Sequence, residues 1–272
     1  MLITGANTGI GRAAAEALAT RGAKVLLACR SEEKTQPVLD GIRAKGGAAE
    51  FVPLDLASLQ SVRDCAAGVL GRAEPLHVLI NNAGLAGKRG KTRDGFELAF
   101  GTNHLGHFLL TQLLLPKLRA NAPARVVNVA SHSHFNAHGI DFDHLRQKSH
   151  LLAVWDYNVS KLCNVLFTKE LARREAKSGV TTYALHPGVV ASDAWREMPW
   201  PIRPLIKRRM ISPEEGSRTT VFLATAPVDT LENGGYYSHS RISKSINPIA
   251  LDTALAATLW EKSAAWAGVP PA

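Results

Sequence analysis

The sequence predicts an α/β fold, a single domain built on a doubly wound parallel sheet with helices on both faces. Three observations carry this expectation. Short apolar runs of strand length alternate with stretches of helical periodicity, the order that a parallel sheet with helical crossovers requires. A glycine-rich turn stands between the first apolar run and the first helical stretch. The residues able to carry chemistry fall just after the strand runs, at what would be one edge of the sheet.

In chain order, the strand runs after the first are Lys24 to Cys29, Glu50 to Leu54, His77 to Ile80, Arg125 to Val129 and Val180 to Leu185. Only Met1, Leu2 and Ile3 precede the first turn, fewer than the roughly five or six residues of an ordinary strand. Either this strand is brief or the natural chain starts further upstream. Helical periodicity covers Gly11 to Arg21, Ser58 to Leu70, Asn103 to Leu118 and Asp156 to Lys177. Pro37 falls inside the second helical stretch, which should begin late or kink, because proline lacks an N–H and crowds the preceding turn. Ser212-Pro213-Glu214-Glu215 reads as a helix start, with a serine cap, proline in the first turn and glutamate three residues after the cap. A last helix is expected near Leu251 to Trp266.

The chain of 272 residues, 46% hydrophobic, suffices for one sizeable core, so residues 1–272 are expected to form one domain. Cys29, Cys65 and Cys163 are scattered, odd in number and without close spacing, which suggests neither a disulfide framework nor a thiolate metal site. No apolar run approaches the roughly 20 residues of a membrane-spanning helix, and the opening residues lack the charged start and apolar stretch of a signal peptide, so none is expected. A soluble, cytoplasmic protein is expected, with an anchor possible only on a longer natural N-terminus. The net charge of +9 is mostly spread beside acidic residues. One cluster stands apart, Arg203, Lys207, Arg208 and Arg209 among Trp200, Ile202, Leu205 and Met210. It reads as a basic lid or helix face, with a membrane-surface contact from Arg203 to Met210 as the second reading. Nucleic acid is disfavoured, since basic and aromatic residues do not interleave on a strand.

Thr4-Gly5-Ala6-Asn7-Thr8-Gly9-Ile10-Gly11 lies between a strand and a helix. There glycines let the backbone approach a pyrophosphate, and the helix N-terminus offers unpaired N–H groups and positive potential. Gly5, Asn7, Thr8, Gly9, Ile10 and Gly11 are therefore candidate cofactor residues. About twenty residues on, an NAD enzyme ordinarily presents a carboxylate to the ribose hydroxyls. This chain has Cys29 and then Arg30, a guanidinium that can pair bidentately with a 2′-phosphate. NADP(H) is expected over NAD(H).

Tyr157 and Lys161 are four apart on an expected helix and so share a face. A phenol titrates near ~10, and an adjacent ammonium together with an oxidised nicotinamide would lower that value, making a group able to give or take a proton. The spacing alone is common. Its weight comes from Asn81-Asn82-Ala83-Gly84 after one strand, Asn103 opening the next helix, Ser131 after another strand and Pro187-Gly188 after a further one.

On these motifs the sequence resembles the short-chain dehydrogenase/reductase family from Met1 to about Tyr237. Ala28-Cys29-Arg30, Asn103 through Thr111, Ala124 through Val129 and His186-Pro187-Gly188-Val189-Val190 are similar to its retinol dehydrogenase and WW-domain oxidoreductase branch. The resemblance implies a Rossmann-type fold and an enzyme that interconverts a carbonyl and an alcohol. It implies Tyr157 as general acid/base, Lys161 on the nicotinamide ribose, Ser131 on the substrate oxygen, and Asn103 holding a water that links Lys161 to solvent. Asp55, with Leu56 beside it, would lie at the adenine. Asn82, Ala83 and Gly84 would line the groove, Pro187, Gly188 and Val190 would pack by the nicotinamide, and Ser192 would take the carboxamide. It also implies a substrate lid over residues 189–212 and a homo-oligomer paired through the helices starting near Asn103 and Asp156.

Ser133 competes with Ser131 for the substrate oxygen, and Ser131 is preferred because it comes first after the strand. His132, His134, His138, His144 and His150 invite a metal, but no acidic or cysteine partner is visible in the spacing, and hydride transfer needs no metal, so none is expected. His104 and His107 are expected to satisfy polar groups in or under the site, and His186, before Pro187, to be structural. The apolar residues Trp195, Met198, Trp200, Pro201 and Met210 of the lid segment suggest an apolar substrate. The competing readings are a catalytically silent NADP(H) sensor or scaffold, an enzyme working mainly as an alcohol dehydrogenase, and a reducer of carbon–carbon double bonds.

Overall fold

The computed structural model describes residues 1–147, 149–188 and 211–270. The lid segment, Val190, Ser192 and the Arg203 to Met210 cluster lie outside the described residues, apart from Ile211 and Ser212 at the end of the lid range.

Seven strands run parallel and an eighth antiparallel, in the order β3-β2-β1-β4-β5-β6-β7-β8. They are β1 (Leu2–Thr4), β2 (Val25–Cys29), β3 (Ala49–Pro53), β4 (Val78–Asn81), β5 (Ala124–Val129), β6 (Val180–His186), β7 (Tyr236–Ser238) and β8 (Arg241–Ile242). The order reverses between β1 and β4, and such a sheet opens a crevice at the carboxyl ends of the strands there. β1 is brief, as its sequence suggested, yet fully buried and paired with β2 and β4 on its two edges. β7 and β8 had no counterpart among the expected strands.

The helices are α1 (Gly9–Thr20), α2 (Glu32–Ala44), α3 (Leu59–Leu70), the single turn α4 (Leu98–Phe100), α5 (Gly106–Ala120), α6 (Val154–Arg174), α7 (Pro213–Thr225) and α8 (Thr253–Ala267). α2 departs from expectation, since it starts at Glu32 and runs through Pro37. Ser31 caps it by accepting from the Lys34 N–H, two glutamates follow in its first turn, and Thr35, Val38, Leu39 and Ile42 are buried. Cap, charge and burial together offset the one backbone bond that proline removes. α7 begins as its sequence predicts, with a reciprocal capping box between Ser212 and Glu215.

Apolar clusters fill both faces of the sheet, one around Leu79, Phe108, Leu166 and Trp260, the other around Ile3, Leu18, Leu27 and Ile80. Polar pins cross the first: Asn81 Nδ2 donates to Asn128 Oδ1 at 2.8 Å and to Thr111 Oγ1 at 3.0 Å, and Asn128 Nδ2 donates to Thr168 Oγ1 at 2.9 Å. β4, β5, α5 and α6 are thereby held in one register by side-chain bonds in the interior, where such bonds favour a unique packing. α8 lies across α5 and α6: Trp260 meets Phe108 edge-on at 5.1 Å and stacks on Phe167 at 5.7 Å between ring centroids.

Candidate active site

The glycine loop and the turn after β4 are packed against each other. Gly5 has φ +64, and a Cβ there would sit 2.9 Å from that of Ala83. At Gly11 a Cβ would meet the Gly5 carbonyl oxygen and Asn82 Nδ2 at 2.4 Å. Asn82 Nδ2 donates to the Thr4 carbonyl at 2.8 Å. α1 opens from Thr8 with no side-chain cap and no acidic residue in its first turn, so its N–H groups and positive end remain available to an anion. The Cys29 thiol lies against the N–H groups of Gly5, Ala6 and Asn7, and burial pushes its pKa up. Arg30 follows, exposed. The residues fit a dinucleotide, with a small neutral thiol under the loop and a guanidinium beside it. Asp55 holds its own turn, accepting from the Ala57 N–H at 3.1 Å. The side chain of Leu56 is buried in the core, so only its backbone can serve the groove.

The catalytic candidates converge on the same edge. Lys161 Nζ donates to the Val129 carbonyl at 2.8 Å and lies 5.6 Å from the centre of the Tyr157 ring. A Cβ at Gly84 would come within 3.5 Å of Lys161 Nζ and 3.4 Å of Asn103 Oδ1, which places this turn in contact with both side chains. Asn103 sits in a π-turn, Gly101–Leu105, that joins α4 to α5. Its amide is fully engaged: Oδ1 accepts from the Leu85 N–H at 2.9 Å, while Nδ2 donates to the Leu85 carbonyl and to Ser160 Oγ, each at 3.0 Å. Ser160 Oγ in turn donates to the Tyr157 carbonyl at 2.7 Å.

The two serines separate by their partners. The Ser131 hydroxyl lies near enough to the Tyr157 phenol to oppose the rise of its pKa. Ser133 instead donates its N–H to Ser131 Oγ at 3.1 Å and accepts from that hydroxyl at 3.2 Å. The backbone of Ser131 is fixed by His134, whose Nδ1 donates to the Ser131 carbonyl at 2.7 Å. Burial raises the pKa of Tyr157, with the Ser131 hydroxyl opposing it, and burial lowers Lys161 to about 8. The expected lowering of the phenol by the ammonium is thus not the dominant effect here; desolvation of both groups is.

Two residues that the sequence did not single out support this centre. Asn247 Nδ2 donates to the carbonyls of His134 at 2.7 Å and Ala137 at 2.9 Å, holding the turn after β5. Tyr236 on β7 buries its hydroxyl without a hydrogen-bond partner among the described residues, and the nearby Tyr157 phenol adds to burial in raising its pKa. No local signal marks either, because each reaches the site from a distant part of the chain. Pro187 and Gly188 follow β6; Gly188 has φ +90, and a Cβ there would strike Ile211 Cδ1 at 2.5 Å.

The histidine expectation needs one correction. Asp156 does join His144 and His150: its Oδ1 accepts from His150 Nδ1 at 2.6 Å and His144 Nε2 at 3.0 Å, and its Oδ2 from the His150 N–H at 2.7 Å. Folding brings the 3₁₀ turn of His144 onto the first turn of α6, a closure that the spacing did not reveal. These are proton-bearing contacts of hydrogen-bond length, and they pin the long connection after β5 to the catalytic helix. A cavity of about 340 Å³ lined by Met1, Lys24, Arg72, Pro75, His77 and Lys117 lies at the opposite, amino end of the sheet, away from these groups.

A glycine cradle at a topological switch point, facing a lysine, a phenol and a hydroxyl, defines a nucleotide-dependent oxidoreductase of the α/β class. The chain belongs to the short chain dehydrogenase family, whose description matches residues 1–200. It is similar to human Retinol dehydrogenase 11, 42% identical over 99% of this chain and 86% of that one, and to human Retinol dehydrogenase 13, 41% identical over 99% and 84%. Among solved structures it resembles an uncharacterized protein from Mycobacterium Paratuberculosis, with TM-score 0.79 and 34% identity over 98% of this chain and 92% of that one. It also resembles an NADPH-bound carbonyl reductase from chicken fatty liver, with TM-score 0.67 and 25% identity over 89% and 97%.

Proposed function

We propose that this protein interconverts a carbonyl and an alcohol on an apolar substrate, using NADP(H), with Tyr157 moving the proton. The arrangement of the Tyr157 phenol against the Ser131 hydroxyl, with Lys161 held one helical turn away, carries the reading. When bound, the nicotinamide supplies or accepts the hydride. Ser131 donates to the substrate oxygen and orients it. Tyr157 gives that oxygen a proton in reduction and removes it in oxidation, a role that suits a phenol held near an ammonium. Lys161 binds the nicotinamide ribose, and its positive charge favours the phenolate once the proton has left. Asn103 holds the helix junction beside Gly84. Asn7, Thr8, Gly9 and Ile10 cradle the pyrophosphate, Arg30 takes the 2′-phosphate, Asp55 lies by the adenine, and Val190 and Ser192 contact the nicotinamide.

Two things support an apolar substrate: relatives at about two-fifths identity are retinol dehydrogenases, and Leu151, Leu152, Val154 and Trp155 stand exposed immediately before Tyr157. Steady-state assays with NADPH over medium-chain and isoprenoid aldehydes test it; a higher kcat/KM for small polar carbonyls contradicts it. The sheet edge and α8 also bear on assembly. α8 packs against α6 and α5, and we propose that copies associate through what these two helices leave exposed.

A further inference from the structure

We propose that His107 is a positioning residue that locks three parts of the cofactor site together through one fixed tautomer. The inference rests on the cofactor reading above. His107 lies in the first turn of α5 and is buried. Its Nδ1 is 2.9 Å from the Asn103 carbonyl, and its Nε2 is 2.8 Å from Thr4 Oγ1. A carbonyl oxygen accepts only, so Nδ1 must carry the proton. A neutral imidazole with a proton on Nδ1 leaves Nε2 as an acceptor. The Thr4 hydroxyl therefore donates to Nε2, and its oxygen is left to accept. It does so twice, from the N–H groups of Asn82 and Ala83, each at 2.9 Å.

Each end of this chain is a part of the site. Thr4 is the last residue of β1 and the first of the glycine loop. Asn82 and Ala83 form the turn that packs on Gly5 and Gly11. Asn103 carries the amide that borders Gly84 and bonds Ser160. Asn103 lies in the π-turn that joins α4 to α5, and the imidazole gives its carbonyl a side-chain donor. A side chain with only one polar end would give up either that contact or the one to the Thr4 hydroxyl in a dry interior.

A protonated ring breaks the order, because an Nε2–H would face a hydroxyl oxygen that already takes two N–H groups. The Thr4 proton would then have only the Ile80 carbonyl, 3.5 Å away. Burial, with the charge of Lys161 acting in the same direction, holds the His107 pKa near 4, so the ring keeps its neutral form across the working pH range. His104, one turn earlier and equally buried, faces the other way and meets Ser263 of α8 at 3.1 Å. It is the matched control.

Two measurements test the proposal. In wild-type protein, long-range ¹⁵N–¹H spectra of the His107 ring should show a neutral imidazole protonated on Nδ1 between pH 5 and 8. A proton on Nε2, or titration within that range, overturns the tautomer. Next, NADPH affinity is measured by fluorescence titration for wild type, Thr4→Val, His107→Leu, His107→Gln, the double variant Thr4→Val/His107→Leu, and His104→Gln. His107→Leu should weaken NADPH binding about tenfold or more, with Thr4→Val adding little on top of it, since both break the same chain. His107→Gln keeps an acceptor for Thr4 and should recover part of the loss, whereas His104→Gln changes stability but not affinity. Unchanged affinity in His107→Leu, or losses that simply add, overturns the proposal. A wild type that binds no NADPH instead contradicts the cofactor reading on which it rests.

Discussion

Lys161 Nζ donates to the carbonyl of Val129 at 2.8 Å, tying the cation of α6 to the last residue of β5. Ser131 stands two residues beyond that carbonyl, so one hydrogen bond sets the distance between the helix that carries Tyr157 and the turn that carries its partner hydroxyl. Lys161 is buried to achieve this, at the expense of its solvation.

That cost should be measurable as stability. The folded protein holds the Lys161 pKa at about 8 against an ordinary value of 10.5. Between these values the unfolded chain binds a proton that the folded chain does not, so stability contributed by this site rises with pH across that window. Below about pH 8 the buried charge costs on the order of 3 kcal/mol. Lys161→Met removes it, and thermal unfolding at pH 7 should show a Tm higher by about 2–6 °C, together with loss of turnover. Such an opposition of stability and activity is expected where a strained group serves function.

The pH profile of carbonyl reduction follows from the same pair. Reduction needs the phenol protonated and the ammonium present. Burial raises the first group and lowers the second, so kcat should be level near neutrality and fall above about pH 8 as Lys161 loses its proton. In Lys161→Arg, whose guanidinium keeps its charge, whatever activity survives should lack that fall.

Ser131 and Ser133 are distinguishable by kinetics. Of the two, Ser131 is the side chain that acts on the Tyr157 phenol, so Ser131→Ala should lower kcat by about a hundredfold or more, the usual scale for removing one donor to a reacting oxygen. Ser133→Ala should change it less than about fivefold, since its N–H contact to Ser131 is retained. A larger loss in Ser133→Ala would reassign the substrate contact.

The proposed preference for NADP(H) rests on Arg30. Arg30→Ala should raise the KM for NADPH about ten- to a hundredfold while leaving NADH within about threefold, the range expected for a charge-assisted contact to phosphate. Equal losses with both cofactors would contradict it.

The parallel order of the sheet and the helices bearing Tyr157 and Lys161 were legible because hydrophobic period and turn chemistry are local. What escaped is long-range or very short. β7 and β8 have three and two residues and are joined through His239 and Ser240, both at positive φ, where glycine is the usual residue. α2 tolerates Pro37 because its cap and buried face lie in other residues. Asp156 meets His144 and His150 only after a connection folds back, and Asn247 reaches His134 from 113 residues away. The direction of the Tyr157 shift was also hidden, since spacing reveals a neighbouring charge but not the loss of water around both groups.

We propose that Tyr157 moves the proton, so its hydroxyl should be needed for turnover and not for cofactor binding. Tyr157→Phe keeps the ring and removes the hydroxyl. NADPH affinity by fluorescence titration and single-turnover aldehyde reduction, measured on the same preparation, test the claim most directly. Unchanged affinity with reduction slowed by about a thousandfold or more, within the range of a general acid, is the predicted result. Reduction at near wild-type rate by the phenylalanine variant would contradict it.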